Sequence, residues 1–367
     1  PDGPLVWLHG VSVGEAMSLL PLVGALSSRR PDLRVLVTCG TVTAAAMMAE
    51  RLPAGVIHQF APVDAPGAVR RFLDHWRPSL GVFVESELWP NLILGARRRG
   101  ARLALVSARI TEGSAARWAR WPASARALVA AFDLVLPQDA ATAGRLRRLG
   151  ATPGPELNLK RVGEPLPCDP TALDRLRRAV HGRKVVLAAS THPGEEALIA
   201  DAFHRAVPDL GEAVLVVAPR HPERGPALAD QLGAPRRAAG EAPSGAVYVA
   251  DTLGELGLFF RLADIVVMGG GFVPGIGGHN PLEPARIGRP ILTGPHVFNA
   301  AELYAELIAE AAAIQAAEAS SLARHIRGLL DNPLIARRMG EAALAYADRQ
   351  GSALDRALGL LEPLLPA

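Results

Sequence analysis

Short apolar runs of strand length recur down this chain, and nearly every one gives way to a stretch of helical character. Leu5–Leu8, Arg34–Thr38, Leu80–Glu85, Arg102–Val106 and Leu134–Pro137 are such runs. Val185–Ser190, Ala213–Pro219, Ala246–Val249, Ile265–Met268 and Pro290–Thr293 repeat the pattern. Runs without polar alternation belong in sheets buried on both faces, and their alternation with helices predicts open parallel sheets covered on each side. Between the two series stands Gly163-Glu164-Pro165-Leu166-Pro167-Cys168-Asp169-Pro170, where three closely spaced prolines break the pattern. The expected fold class is therefore α/β, with two Rossmann-like doubly wound domains facing each other across a cleft. The first domain is expected over residues 1–165 and the second over 166–345, with a C-terminal helix in 346–367 available to pack back on the first. The tail from about Glu318 to Leu365 reads as three helices, broken at Asn332-Pro333 and Gln350-Gly351. A chain of 367 residues suits two such domains, since single cores rarely grow beyond roughly 250–300 residues.

Composition removes several classes. At 49% hydrophobic and 20% charged residues the chain is not disordered. Its two cysteines, Cys39 and Cys168, suggest neither a disulfide framework nor a zinc site, and fit a reducing compartment. No apolar run reaches the roughly 18 residues that span a bilayer. The chain opens Pro1-Asp2-Gly3 without an initiator methionine, which is expected of a processed or shortened form. The net charge of +3 conceals an asymmetry: residues 1–165 carry 20 Lys and Arg against 13 Asp and Glu, a balance of +7. Basic residues are densest from Arg97 to Arg126, which predicts an anionic partner such as a phosphorylated lipid or membrane surface. No nucleic-acid recognition motif accompanies them, so nucleic acid is not an expected partner.

Ligands of doubly wound sheets sit beyond the carboxyl ends of the strands, so residues there take the functional reading first. In the first half these are Glu15, Glu85 and Glu87, with Lys160, one of only two lysines, nearby in sequence to the linker. Ser12-x-x-Glu15 also fits a capping box, in which the carboxylate serves only the backbone. Glu85 ends an apolar run, where an unpaired charge is costly, and so requires a partner or a cleft. In the second half Arg220 emerges from a strand into a Pro-rich turn, suited to clamping a phosphate. Glu283 could accept hydrogen bonds from ribose hydroxyls, and Thr252-x-x-Glu255 again fits simple capping. Gly269 to Pro284, GGGFVPGIGGHNPLEP, combines a strand end, a glycine turn and an expected helix start with Asn280 as N-cap and Pro281 at the first helical position. His192, His221, His279 and His296 all fall in turns, and no cluster has metal-ligand spacing. GxxxxGK[ST] is absent, and no GxGxxG follows the first strand of either half.

Several stretches taken together resemble one family, the 3-deoxy-D-manno-octulosonic acid (Kdo) transferases. They are WLHGVSVGE (7–15), ESELWPN (85–91), NLK (158–160), AASTHPGEE (188–196), PRHPER (219–224), DTLGEL (251–256) and GGHNPLEP (277–284). The resemblance implies a glycosyltransferase of the two-Rossmann (GT-B) type that moves Kdo from CMP-Kdo to a lipid A precursor of lipopolysaccharide. It implies inversion at the anomeric carbon, no catalytic metal and no other cofactor. Matched by position, Glu15 corresponds to the family's general base, and Glu85 and Lys160 to transition-state stabilisers. Pro219, Arg220, Leu253, Gly254, Glu255, Asn280, Pro281, Leu282 and Glu283 correspond to CMP-binding positions. The implied location is the cytoplasmic face of the bacterial inner membrane, with the family's hydrophobic anchor expected outside this chain. The sequence departs from the family at Ser86, where Thr is usual, at Ser107, where Asn is usual, and in the glycine loop around Gly271-Phe272 and Val273–Ile276. A GT-B transferase using another nucleotide sugar, or a non-catalytic paralogue binding a sugar nucleotide or glycolipid, are the alternative readings.

Overall fold

The structure is a computed structural model, and it describes residues 3–86, 88–209 and 211–366. Glu87 lies outside the described residues. The chain divides into two compact units, Pro1–Gly163 with Gln350–Ala367, and Glu164–Arg349.

The first unit is built on six parallel strands: β1 (Leu5–His9), β2 (Arg34–Cys39), β3 (Ile57–Phe60), β4 (Leu80–Val84), β5 (Arg102–Ala108) and β6 (Leu134–Pro137). Their order across the sheet is β3-β2-β1-β4-β5-β6, with Val6 of β1 opposite Val35 on one side and Leu80 on the other. Every residue of β1 and β4 is buried, because the pleat sends alternate side chains into two separate cores. Val6, Leu8 and Val82 meet Leu19 and Val23 of the helix Val13–Arg29, while Trp7, Phe83 and Leu103 meet Phe72 and Ile93 on the opposite face. At about 1.5–3 kcal/mol for each fully buried large apolar side chain, these two layers supply the main favourable term of the unit.

The second unit repeats the plan with β7 (Lys184–Thr191), β8 (Ala213–Pro219), β9 (Val247–Val249), β10 (Ile265–Met268), β11 (Ile291–Thr293) and β12 (Ala313–Gln315). Its order is β12-β11-β10-β7-β8-β9, which is the connectivity of the first unit again. In each sheet the order reverses between the first strand and the fourth, β1 beside β4 and β7 beside β10. Those reversals open a crevice at the carboxyl ends of the strands, where doubly wound sheets take their ligands.

Four local expectations are corrected. Strands β3 and β12 were not anticipated, since Ile-His-Gln-Phe and Ala-Ile-Gln are short, partly polar edge strands. The helical stretch expected after Arg102–Val106 is split into two helices, Glu112–Ala119 and Pro122–Val129, because Pro122 takes a first helical position and starts a new helix. Asn280 is not the residue that adjoins a helix: the segment is one short turn, Leu282–Ala285, preceded by Pro281, and Asn280 Oδ1 accepts the Leu282 N–H at 3.1 Å. The tail holds no break at Gln350-Gly351 either. After Ala319–Asp331, one helix runs unbroken from Pro333 to Leu361. A glycine inside a helix costs about 1 kcal/mol. Ala357, Leu358 and Leu361 bury in the same core as Leu22, Val23 and Leu26, which outweighs that cost.

Candidate active site

In the first unit the site begins where β1 runs out. A Cβ on Gly10 would lie 2.9 Å from a Val84 methyl and 3.1 Å from Glu15 Cβ, so only glycine lets the turn pass between β4 and the following helix. Ser12 caps that helix and the full capping box is present. Glu15 Oε2 accepts the Val11 N–H at 2.7 Å and the Ser12 N–H at 3.3 Å, while Ser12 Oγ accepts the Glu15 N–H at 3.3 Å. The other carboxylate oxygen, Oε1, takes no hydrogen bond from the described residues. Capping therefore occupies one oxygen of a buried carboxylate and leaves the second available.

Glu85 stands one residue past β4 with φ of 54°, a left-handed conformation that a residue with a Cβ adopts at a cost on the order of 1 kcal/mol. Its side chain is only 7% exposed, and Lys160 Nζ lies 2.5 Å from Oε1. The contact is an ion pair without hydrogen-bond alignment. Lys160 rides on the single turn Leu159–Arg161, fixed by Asn158 Oδ1 accepting the Lys160 N–H (3.1 Å) and Ser107 Oγ accepting the Leu159 N–H (3.2 Å). Ser107 is itself buried and left-handed, φ 51°, at an irregularity in the β5–β6 register. A Cβ on Gly14 would sit 3.9 Å from Lys160 Cε, which puts the lysine against the first turn of the Glu15 helix. Glu15, Glu85 and Lys160 thus gather at the β1/β4 reversal, although 75 residues separate Glu85 from Lys160 in sequence. Beneath them His9 Nδ1 lies 2.9 Å from Thr38 Oγ1, which also accepts Trp7 Nε1–H at 2.8 Å. Burial pushes His9 down to about 4, so the imidazole is neutral and structural.

In the second unit, β8 ends at Pro219-Arg220 beside a cavity of about 120 Å³ lined by Ser190, Pro219, Arg220, Leu253, Gly254 and Phe259. Arg220 is exposed and Leu253 is 85% exposed at its rim. Gly254 has φ of 80°, as the turn requires. Glu255 does not face this cavity with a free carboxylate. Arg237 holds it through two hydrogen bonds of 3.0 and 2.7 Å, and Thr252 Oγ1 donates a third. The Arg237 hydrogen bond keeps its carboxyl below the usual range. Glu283 behaves oppositely: burial pushes it up, with Arg286 and Arg220 acting against the shift. Among the described residues no group of three or more His, Cys, Asp or Glu side chains is placed to hold a metal ion.

The residue that organises the glycine loop escaped the sequence reading. Glu195 is fully buried, and its carboxylate accepts backbone N–H groups of His192 (2.9 Å), Gly270 (2.7 Å) and Phe272 (2.9 Å). It ties the end of β7 to the turn after β10. The loop packs too closely for other residues: a Cβ on Gly269 would fall 2.5 Å from the Ser190 carbonyl oxygen. Sequence spacing brings only the His192 N–H near Glu195; the other two donors come from the turn after another strand, which local sequence does not encode.

Among solved structures, a glycosyltransferase from Rickettsia africae superposes with a TM-score of 0.62 at 10% identity, covering 99% of each chain. The UDP-GlcNAc 2-epimerase of Neisseria meningitidis gives 0.61 at 13% identity, over 98% of this chain and all (100%) of the other. Both likenesses are of fold, and they fix the two-Rossmann GT-B class. The family described as 3-deoxy-D-manno-octulosonic-acid transferase (kdotransferase) matches residues 1–160. Proteins named 3-deoxy-D-manno-octulosonic acid transferase are similar along nearly the whole chain. That of Rickettsia felis is 33% identical over 98% of this chain and 79% of its own length. That of Bordetella pertussis is 35% identical over 98% and 87%, and that of Haemophilus influenzae 32% identical over 100% and 88%. With both Rossmann units present and similarity of this extent, the chain belongs to the 3-deoxy-D-manno-octulosonic acid transferases, a family of glycosyltransferases.

Proposed function

We propose that this enzyme moves Kdo from CMP-Kdo to a phosphorylated lipid A precursor, with inversion at the anomeric carbon and Glu15 as general base. The observation that carries the reading is the half-engaged Glu15 carboxylate beside the Glu85–Lys160 ion pair. A sugar hydroxyl is a weak nucleophile, and a fixed carboxylate within hydrogen-bond reach is the expected activator. The capping bonds on Oε2 orient the group, and Oε1 takes the proton. The activated hydroxyl attacks the anomeric carbon as its C–O bond to the phosphate breaks and CMP leaves, a single displacement that inverts the centre. Glu85 and Lys160 act as an electrostatic pair on the reacting centre, with Lys160 half exposed and able to meet developing negative charge.

The donor belongs to the second unit in this reading. Arg220 faces the phosphate, the cavity beside Leu253 and Gly254 takes the cytidine end, and the turn Asn280–Glu283, whose Glu283 feels the Arg220 charge, completes the site. Glu255 acts there as the anchor of Arg237 rather than as a direct ligand. The acceptor belongs to the first unit in this reading, where Val42, Phe60 and Val63 stand 78%, 49% and 75% exposed at or just past the ends of β2 and β3 and suit acyl chains. Arg98, Arg109, Arg117, Arg120, Arg126 and Arg147 are exposed, as is Trp121. A basic surface with an exposed tryptophan fits the anionic cytoplasmic face of an inner membrane. No helix among the described residues is long and apolar enough to cross one.

Incubation with CMP-Kdo and a tetra-acylated lipid A precursor, read by mass spectrometry, tests the reaction. Glu15→Gln keeps a hydrogen-bond acceptor for the cap but no base, so transfer is expected to fall by about 10²–10⁴-fold. CMP affinity and the melting curve should stay at wild-type values. Normal turnover by this variant would reduce Glu15 to a capping residue.

A further inference from the structure

The second unit holds a pair of titratable groups that the donor reading leaves unused. His192 follows β7 and His279 follows β10, the two strands between which the sheet order reverses. Their Nε2 atoms are 2.8 Å apart and their ring planes differ by 9°. That separation is shorter than ring stacking allows and marks a hydrogen bond, one Nε2–H donating into the other ring's lone pair. Neither Nδ1 has a hydrogen-bond partner among the described residues. In the neutral pair, the donating ring has a bare Nδ1 and its partner carries Nδ1–H. One added proton on the bare Nδ1 leaves the bridge intact and makes a cation with two free N–H donors.

The pair is held rigidly and its charge is held down. Glu195 fixes the His192 backbone, Tyr304 donates its hydroxyl to the His279 carbonyl at 2.9 Å, and a Cβ on Gly270 would lie 3.0 Å from His279 Cδ2. The charged and titratable groups around it are Glu195 and Glu196 on the helix Glu195–Ala206, Arg220 and His221 after β8, and Tyr304. Glu196 is matched by Arg224 at 2.6 Å, and Glu195 is spread over three backbone donors. Glu283, four residues after His279, feels the charges of Arg286 and Arg220. Burial, then the positive charges of His192, Arg220 and His221, push His279 down to about 4, and burial also lowers His192. An anion beside Arg220 reverses the like-charge part of that penalty.

We propose that the His192–His279 pair is an anion-facing element of the donor site, taking up one proton when the phosphate of a cytidine monophosphate donor binds beside Arg220. The inference rests on the donor reading above. Binding that raises the affinity of the pair for its proton must itself strengthen as pH falls. The strengthening runs from the raised value in the complex down to the free value, about 4 for His279, and stops below it.

Titration calorimetry of the full chain with CMP, in buffers of different ionisation heat at about pH 7.5, counts the protons, with the ligand phosphate largely dianionic. Wild type should take up a measurable fraction of a proton per CMP, growing as the pH is lowered toward about 6.5, and cytidine, lacking the phosphate, should take up none. His279→Gln and His192→Gln should each lose most of the uptake, bind CMP about tenfold more weakly, and flatten the pH dependence of affinity. CMP binding without proton uptake, or uptake unchanged in both variants, would overturn the proposal and leave the donor reading standing. Failure of wild type to bind CMP at all would overturn both.

Discussion

Ser107 shows how a single side chain can set the place of a lysine it never touches. It is buried and left-handed, and its hydroxyl accepts the Leu159 N–H that starts the turn carrying Lys160. Replacing it with alanine leaves that donor buried and unpaired, at a cost of about 1–3 kcal/mol. Ser107→Ala should therefore lower the unfolding free energy measured in urea by that amount and reduce kcat with little change in KM for CMP-Kdo. An unchanged kcat would mean that Lys160 finds its place without the serine. Glu195 poses the complementary case, with three backbone donors converging on one carboxylate. Neither role could be read from spacing. The capping box at Ser12-x-x-Glu15 was legible because both partners lie within one turn, whereas Ser107 reaches Leu159 across 52 residues and Glu195 reaches Phe272 across 77. Such pairings depend on which strands become neighbours, and local sequence does not encode that.

At the scale of elements, the buried strands were the most legible part of the fold. A central parallel strand must be apolar on both faces, so it advertises itself as a continuous run. Edge strands carry no such demand, and Ile57–Phe60 and Ala313–Gln315 escaped notice for that reason. The helix Pro333–Leu361 was misjudged in the other direction. Gly351 is a local breaker, and the tertiary packing of Ala357, Leu358 and Leu361 overrides it. Nothing lies within 4 Å of a Cβ built on Gly351, and its φ is not left-handed. Gly351→Ala should then stabilise the protein by about 0.5–1 kcal/mol without touching activity. A loss of stability in thermal or urea melts would mean that the helix bends at this point and needs the glycine.

At the scale of the whole molecule, the chain does not divide at one point in sequence. Residues 350–367 belong to the first unit, and Ala357, Leu358, Leu361 and Leu364 are buried in its core with Val23 and Leu26. Arg29 pairs with Asp355 at 2.5 Å, and Arg30 donates to the Pro366 carbonyl at 3.1 Å. The exposed ion pair adds little, so the apolar contacts carry the attachment. Removing one buried leucine side chain typically costs about 2–5 kcal/mol, and a folded unit has a margin of only about 5–15 kcal/mol. A chain ended after Arg349 loses three such leucines at once, enough to bring the first unit to the edge of unfolding. Limited proteolysis should then cut first within residues 1–163, while the Glu164–Arg349 unit resists. Two thermal transitions should separate, the lower one shifted by removal of the tail and the upper one raised by CMP. If the shortened chain resisted cleavage as the full one does, the core of the first unit would be complete without its returning helix.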